Sequence, residues 1–399
     1  MKALNNNTHP LESLLQQHCP NGVEFKELGE VCETLPKGTL KTSQLTANGY
    51  PVINSGRDLY GYYSKFNNES NAFTIAARGE YAGFVNFMDS KFWAGGLCYP
   101  YRSNDENKLL TKFIYYHLKT NESNIMDSLV ARGSIPAINK KDIDKKLKIP
   151  LPPLEIQQKI VEILDAFTEL QAELQAELEA RLKQYHYYRN KLLSHDELEN
   201  RTAKSRNDSD PTPLVPYVRL GEVCEKVFAG GDLPKEYSKD KKPSGEFLYP
   251  IYSNGSDENS LYGFSKTYRI DAEAVTISAR GTIGFHTTRE AKFTPIVRLI
   301  TLIPNLNKIT NRFLNYALYT THIEKYGTSA GIPQLTIPML EKITIPLPPL
   351  AVQNEIVEIL DKFDTLANDL SAGLPAEIEA RKKQYEYYRE RLLSFIAKD

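Results

Sequence analysis

The sequence predicts an α+β protein. Two globular mixed α/β domains are separated by two long helices that form an antiparallel coiled coil, and the whole is a pseudo-two-fold internal repeat. Three observations carry this reading. Ile149 to Ser194 has the apolar spacing of one long helix with a single seam. That stretch recurs at an offset of 345 − 149 = 196 residues. Each copy follows a segment of strand-like runs punctuated by Gly and Asn.

The first long segment begins IPLPPL, and prolines suit a first helical turn, where a missing N–H costs nothing. Apolar residues follow at Ile156, Ile160, Ile163, Phe167, Leu170 and Leu174, in steps of four and three. Steps of four through Leu178 and Leu182 make a stutter, which unwinds a supercoil locally without ending it. Glu, Gln, Ala and Lys fill the remaining positions and favour helix. At 1.5 Å per residue, Leu154 to Leu193 spans about 60 Å. A single-seamed helix of that length needs a partner, and IPLPPLAVQNEIVEILD…EARKKQYEYYRERLLS supplies it. The second copy carries extra residues near Ser371 to Pro375, where Gly373 and Pro375 are expected to break or kink the helix.

Ahead of the first helix, Leu11, Leu14 and Leu15 predict a short N-terminal helix, and YPVIN, AFTIAARG, AGFVNFM and LCYPY read as strands. KLLTKFIYYHLKT reads as a helix with Leu110, Phe113, Ile114 and His117 on one side. The polar run from Ser194 to Pro213 reads as a solvated linker. The second globule then repeats the landmarks of the first. LGEVCE stands at 28 and 220; YPIYSNG answers YPVINSG, VTISARGTIGF answers FTIAARGEYAGF, FLNYAL answers FIYYHL and GIPQL answers SIPAI. The globules share landmarks but differ strongly elsewhere, whereas the helical segments are nearly duplicates. One scaffold therefore holds two different surfaces.

The formal net charge is −1, so no global basicity announces nucleic acid or membrane. The globules are mildly basic: 20–148 has 17 Lys plus Arg against 14 Asp plus Glu, and 212–345 has 16 against 13. That balance fits phosphate binding by the globules alone, although ordinary scatter would also produce it. The four cysteines show no CxxC pairing or His cluster, which argues against zinc, and free thiols fit a reducing cytoplasm. No apolar run reaches membrane-spanning length, and MKALNNNTHP is not the start of a signal peptide. Phosphate-loop, GxSxG and amide-Pro-Pro-aromatic motifs are all missing, so any chemistry is expected to come from a bound partner.

Arg78 and Arg280 each follow a buried-looking strand and precede a glycine, so each sits in a tight turn at a strand end. A guanidinium there can present its fork to guanine or phosphate, or can pair locally to fix the turn. Arg132, before Gly133, and the Gly331 region form a second repeated loop. Lys37, Lys41, Arg57, Lys235 and Lys239 lie on polar loops that could reach a DNA backbone, though loop lysines are often only solvated. Arg189 and Arg389, with the tyrosines beside them, are candidates for docking a partner.

The twin IPLPPLxxQxxIVEILD…EAR…QYxYYR…LLS segments, alternating with two divergent domains, resemble the specificity subunits of type I restriction–modification systems over essentially the whole chain. The resemblance implies target recognition domains at 1–148, with its N-terminal helix, and 214–344. It implies conserved helical regions at 149–195 and 345–399, and a linker at 196–213. Each recognition domain would read one half of a bipartite double-stranded DNA site, and the helices would set the spacer. Two modification (methyltransferase) subunits would dock, with restriction subunits in the full complex. S-adenosylmethionine and ATP would belong to those partners, and the chain itself would be non-catalytic, cofactor-free and cytoplasmic. The competing readings are a two-headed protein-interaction scaffold without DNA specificity, and an enzyme with an unfamiliar site.

Overall fold

A computed structural model describes residues 19–205, 214–328, 334–368 and 373–395. The expected N-terminal helix with Leu11, Leu14 and Leu15, and Gly331 of the repeated loop, lie outside the described residues. The chain forms two compact units. One runs to Gln175 and resumes at Glu377; the other is Ala176–Ala376. The division falls within both long helical segments, not at their ends.

In the first unit, β1 (Phe25–Glu27), α1 (Leu28–Val31) and β2 (Cys32–Thr34) lead into β3 (Tyr50–Ile53), β4 (Gly61–Tyr63), β5 (Ala72–Ala76), β6 (Val85–Met88), β7 (Trp93–Ala94) and β8 (Cys98–Ser103). One antiparallel sheet has the order β2-β8-β5-β6, and a second the order β4-β3-β7 with β3 parallel to β7. Then come α2 (Thr111–Thr120), α3 (Glu122–Leu129), α4 (Lys140–Lys146), β9 (Lys148–Pro150) and the long α5 (Leu154–Leu192). Strand β9 pairs antiparallel with β1, which ties the globule's first strand to the approach to α5. Phe73, Ile75, Phe113 and Ile114 are fully buried where α2 crosses the sheet. Each such side chain contributes on the order of 1.5–3 kcal/mol by leaving water.

The second unit repeats this plan. After α6 (His195–Ser205) come β10 (Tyr217–Arg219), α7 (Leu220–Val223), β11 (Cys224–Ala229), β12 (Tyr237–Ser238), β13 (Tyr249–Tyr252), β14 (Leu261–Ser265), β15 (Ala274–Ile277), β16 (His286–Arg289), β17 (Thr294–Pro295) and β18 (Ile300–Pro304). The sheets are β11-β18-β15-β16 and β12-β14-β13-β17. Helices α8 (Asn311–Leu318) and α9 (Ile337–Leu340), strand β19 (Thr344–Pro346) paired with β10, then α10 (Leu350–Asn368) and α11 (Leu374–Leu392) complete the chain. Of the stretch read as a solvated linker, His195–Ser205 is helical as α6, and 206–213 lie outside the described residues. Leu198 and Thr202 are buried, and Arg201 bonds both Glu197 and Glu355. The composition of the stretch is polar, but Leu198 and Thr202, four residues apart, share one buried face of the helix.

The two long segments pair antiparallel through aromatic contacts. In the first unit Phe167 of α5 stacks on Tyr388 of α11, with centroids 5.5 Å apart. In the second, Tyr188 of α5 stacks on Phe363 of α10 at 5.3 Å. The expected seam needs one correction. The fully buried line on α5 is Ile156, Ile160 and Leu164, while Ile163 and Phe167 are half-buried. The helix serves two partners there, its own globule on one stripe and α11 on the next. The second segment is broken: α10 ends at Asn368 and α11 starts at Leu374. Gly373 has φ +83°, and a Cβ on it would lie 2.6 Å from the Thr365 carbonyl oxygen, so only glycine fits.

Each globule is fastened to its helix by the same two polar ties. Gln157 is wholly buried; its Oε1 accepts from Leu110 N at 2.8 Å, and its Nε2 donates to Lys108 O and Pro152 O at 2.9 and 2.8 Å. Gln353 repeats all three, accepting from Thr310 N at 2.9 Å and donating to Lys308 O and Pro348 O at 2.9 and 2.8 Å. Two helical turns on, Asp165 accepts from Lys112 Nζ at 2.7 Å and Tyr116 Oη at 2.5 Å. Asp361 likewise takes Arg312 Nη2 and Tyr316 Oη at 2.5 and 2.6 Å.

Gln157→Leu keeps the volume and strands one amide N–H and two carbonyls. At roughly 1–3 kcal/mol for each stranded group, it should lower the urea midpoint clearly, and Gln353→Leu should act alike; equal midpoints would disprove the ties. Burial also holds the imidazoles of His117 and His286 down to about 4. The unfolded chain, titrating near 6.5, then binds more protons than the folded one, so stability should fall as pH drops from about 6.5 to about 4. The His117→Gln/His286→Gln double variant should show a shallower loss in urea melts across that range.

Candidate nucleic-acid interface

Strand β5 is buried along its whole length, and the chain leaves it as Ala77-Arg78-Gly79. Gly79 has φ +98° and Gly281 φ +73°, the left-handed turn that each arginine–glycine pair requires. Arg78 bridges Ala137 and Arg280 bridges Gln334, the same register position of the repeated loop in each unit. The two arginines are thus structural equivalents. Arg78 is exposed and has no side-chain partner among the described residues; Arg280 has one long contact, Nη2 to Gln334 Oε1 at 3.5 Å.

Backbone contacts gather several of the predicted residues around Arg78. Ala77 N donates to Leu97 O at 2.8 Å, and Lys37 Nζ donates to Gly96 O at 3.1 Å. Ala137, opposite Arg78, also pairs with Ala131, beside Arg132. Arg57 rests over the rings of Tyr81 and Phe84 at 5.8 and 5.7 Å, in the turn that follows Arg78. Lys37, Arg57 and Arg132 therefore lie on loops that touch the Arg78 turn. Arg132 is paired with Asp127 at 2.6 Å, but both side chains are mostly exposed, so the pair costs little to exchange for a phosphate. Beside Arg57 lies a cleft of about 400 Å³ lined by Pro51, Asp58, Leu59 and Asn86.

Lys41 stands apart, next to a short 3₁₀ turn whose Thr42 hydroxyl bonds Tyr60 Oη at 2.9 Å. Lys235 and Lys239 are exposed near β12, Lys239 over the Tyr262 ring at 6.0 Å, and among the described residues no contact joins them to Arg280. The basic group around Arg280 is built from residues that the sequence reading passed over. Asn254 Oδ1 accepts from Ala279 N at 2.8 Å, and its Nδ2 donates to Val297 O at 2.6 Å. This brings the Val297-Arg298 turn beside Arg280. Arg269 is exposed, and its Nη1 lies 2.8 Å from where a Cβ on Gly231 would stand. The available signal was an Asn just beyond each YP strand, Asn54 directly after YPVI and Asn254 one residue later, after YPIYS.

Arg189 and Arg389 are half-buried within their own units. The Arg189 guanidinium lies 4.2 Å over Tyr319 and 5.6 Å over Tyr185, and that of Arg389 lies 5.4 Å over Tyr385. The exposed aromatics of the same motif are Tyr187 and Tyr387. Burial pushes the thiols of Cys32, Cys98 and Cys224 up to about 12, far from reactive thiolates. Among the described residues, no cluster of His, Cys, Asp and Glu could hold a metal, and no helix is long and apolar enough to cross a membrane.

Two domains of one plan, each leaving a buried strand through an arginine–glycine turn, make this an internally duplicated protein. The sequence model of the type I restriction modification DNA specificity domain matches residues 20–184 and again 215–380. A putative type I specificity subunit of Mycoplasma pneumoniae is 36% identical over 335 residues, covering 81% of this chain and 93% of that protein. The EcoR124I/EcoR124II specificity subunit of Escherichia coli is 31% identical over 406 residues, 94% of each chain. The crystal structure of the type I S subunit from M. genitalium shares the fold, with a TM-score of 0.63 at 22% identity over 98% of this chain and 97% of that one. This chain belongs to the family of type I restriction–modification specificity subunits.

Arg78→Ala removes an exposed side chain and Arg280→Ala a half-buried one with a single long contact, so each should change stability by no more than about 0.5 kcal/mol. Each should weaken DNA binding by the assembled complex by roughly 5- to 150-fold. Urea melts beside filter binding would check the pair; wild-type affinity in both variants removes these arginines from the interface.

Proposed function

We propose that this chain is the DNA-reading subunit of a type I restriction–modification complex. Its first globular domain reads one half of a bipartite duplex site, its second reads the other, and its helices set the spacer. The observation that carries this is the contrast between constant and variable parts. The strand order of the main sheet, the Gln157/Gln353 and Asp165/Asp361 ties and the arginine–glycine turns at Arg78 and Arg280 recur in both copies, while the second sheet gains a strand, β12, in the second. The loops around those turns differ. An arginine repeated at each strand end suits a duplex partner, since its fork fits both phosphate and guanine.

Two modification subunits would dock on the helices. The paired QYxYYR motifs support that number, since they expose Tyr187 and Tyr387 at equivalent positions, 60% and 53% accessible. Arg189 and Arg389 contribute by holding the tyrosines beneath this surface. S-adenosylmethionine, ATP and the catalytic groups belong to the partners, restriction subunits join in the full complex, and the setting is cytoplasmic. The expected number of separate half-sites is two, one for each domain.

Helix α5 has 39 residues, about 58 Å at 1.5 Å per residue. Deleting Glu173 to Ala176 from its ELQAELQAELEA run keeps the helical phase approximately and removes about 6 Å, nearly two base steps of about 3.4 Å. Methylome sequencing of a host carrying this chain with its modification partner should show one bipartite motif. The deletion should shorten the spacer and leave both half-sites unchanged. An undivided motif, or an unaltered spacer, would count against the reading.

A further inference from the structure

The second domain contains a turn whose backbone is strained and whose side chains face outward. Val297 and Arg298, between β17 and β18, are consecutive non-glycine residues in the left-handed region, at φ +52° and +60°. A β-branched residue is especially disfavoured there. Such a turn persists only where its surroundings over-determine it, and here they do. Val297 N and Arg298 N donate to Gly231 O and Gly230 O, both at 2.9 Å; Gly230 N donates to Leu299 O at 2.8 Å, and Leu299 N to Ile296 O at 3.1 Å. Asn254 clamps the Val297 carbonyl from the other side at 2.6 Å. Gly230 leaves no room for a side chain, since a Cβ there would lie 2.7 Å from the Pro295 carbonyl carbon. Against this anchoring, Val297 is 50% exposed, and the Arg298 side chain is exposed with no partner among the described residues.

The equivalent turn of the first domain is Gly95-Gly96-Leu97. Asn54 clamps it, accepting from Leu97 N at 2.8 Å, and neither glycine is left-handed. The place in the fold is the same, and the chemistry presented is not: Leu97 in one domain, Val297 and Arg298 in the other. We propose that the Val297-Arg298 turn is a base-reading element of the second domain, with the Arg298 guanidinium recognising a guanine edge in the major groove. This rests on the reading of the chain as a DNA-specificity subunit. A guanidinium fork carried on a rigidly held backbone can take both O6 and N7 of guanine, and an adjacent exposed valine suits a base edge or thymine methyl. Arg269, beside Gly231, supplies the cation that a nearby phosphate needs.

The test compares wild-type chain with Arg298→Gly and Arg298→Lys, each assembled with its modification partner, by methylome sequencing and by DNA binding at several salt concentrations. Glycine removes the guanidinium and relaxes the left-handed backbone, so its effect cannot come from unfolding, which a melt at or above the wild-type midpoint would show. A guanine in one half-site should become degenerate in Arg298→Gly, with roughly 5- to 150-fold less discrimination there. The other half-site should be unchanged. Arg298→Lys keeps the charge without the fork, and should hold affinity while losing most of the discrimination. An unchanged motif in both variants overturns the proposal. So does a uniform loss of affinity with a shallower salt slope, which marks a phosphate contact. A wild-type complex with no bipartite motif would instead sink the underlying functional reading, and the proposal with it.

Discussion

A buried glutamine amide holds this molecule to its purpose. Gln157 and Gln353 each satisfy one backbone N–H and two backbone carbonyls, and in each case those groups belong to the loop before the globule's main helix and to the proline turn that starts the long helix. Leaving such groups unpaired away from water costs more than the net worth of any single bond, so the joint has one low-energy arrangement. The aspartates two turns further along fix the rotation left over. A domain that measures position from a helix is useful only if it cannot swivel on that helix. The side-chain geometry is reproduced at both joints, down to the tyrosine hydroxyl on the carboxylate.

Constancy at the joints makes the variation elsewhere meaningful. The cation on the aspartate is Lys112 in one copy and Arg312 in the other, an exchange that keeps the tie. The turn after the short parallel strand is glycine-rich and relaxed in the first domain, and strained and arginine-bearing in the second. Both versions are clamped by an asparagine from the strand alongside. Strand order and anchoring survive while presented chemistry changes, which is what a reader of two unlike half-sites requires. Cores tolerate little change at their joints, so differences collect where side chains leave the sheet edge.

The repeat was the most legible feature, because near-identical helices with proline starts need no tertiary information to recognise. The main strands and the α2 helix were legible for a similar reason: β-rich apolar runs and a helical stripe are local signals. The two ties were written in the sequence at the common offset of the helical motifs, yet a Gln or Asp on an amphipathic helix ordinarily faces water, and only packing shows that these do not. The Arg78 and Arg280 turns were visible through their glycines. Arg298 was hidden for the opposite reason. TPIVRLI is rich in β-branched residues and reads as an uninterrupted strand, whereas the ladder stops at Pro295 and resumes at Ile300. Local propensity lost there to hydrogen bonds from Gly230, Gly231 and Asn254, none of them near in sequence.

The packing of α5 also explains where its length is free to change. Upstream, Ile156, Gln157, Ile160 and Leu164 are buried, and Asp165 is tied to Lys112 and Tyr116. Downstream, the next buried side chain is Tyr185. Every residue of α5 between Leu164 and Tyr185 is half-buried or exposed, and local pairs such as Glu177 with Arg181 at 2.7 Å support this stretch. A residue lost from either flank would pull a tie out of register. A whole turn lost from the middle, Glu173 to Ala176, removes no buried side chain, and the steps of four through Leu174, Leu178 and Leu182 mean that removing four residues returns the same pattern along α5. The near-repeat ELQAELQAELEA lies within this stretch. Its sequence redundancy and its light packing have one physical basis: a helix with no buried side chain over this stretch is held by its own backbone and local pairs, so its length can change by whole turns without opening a core.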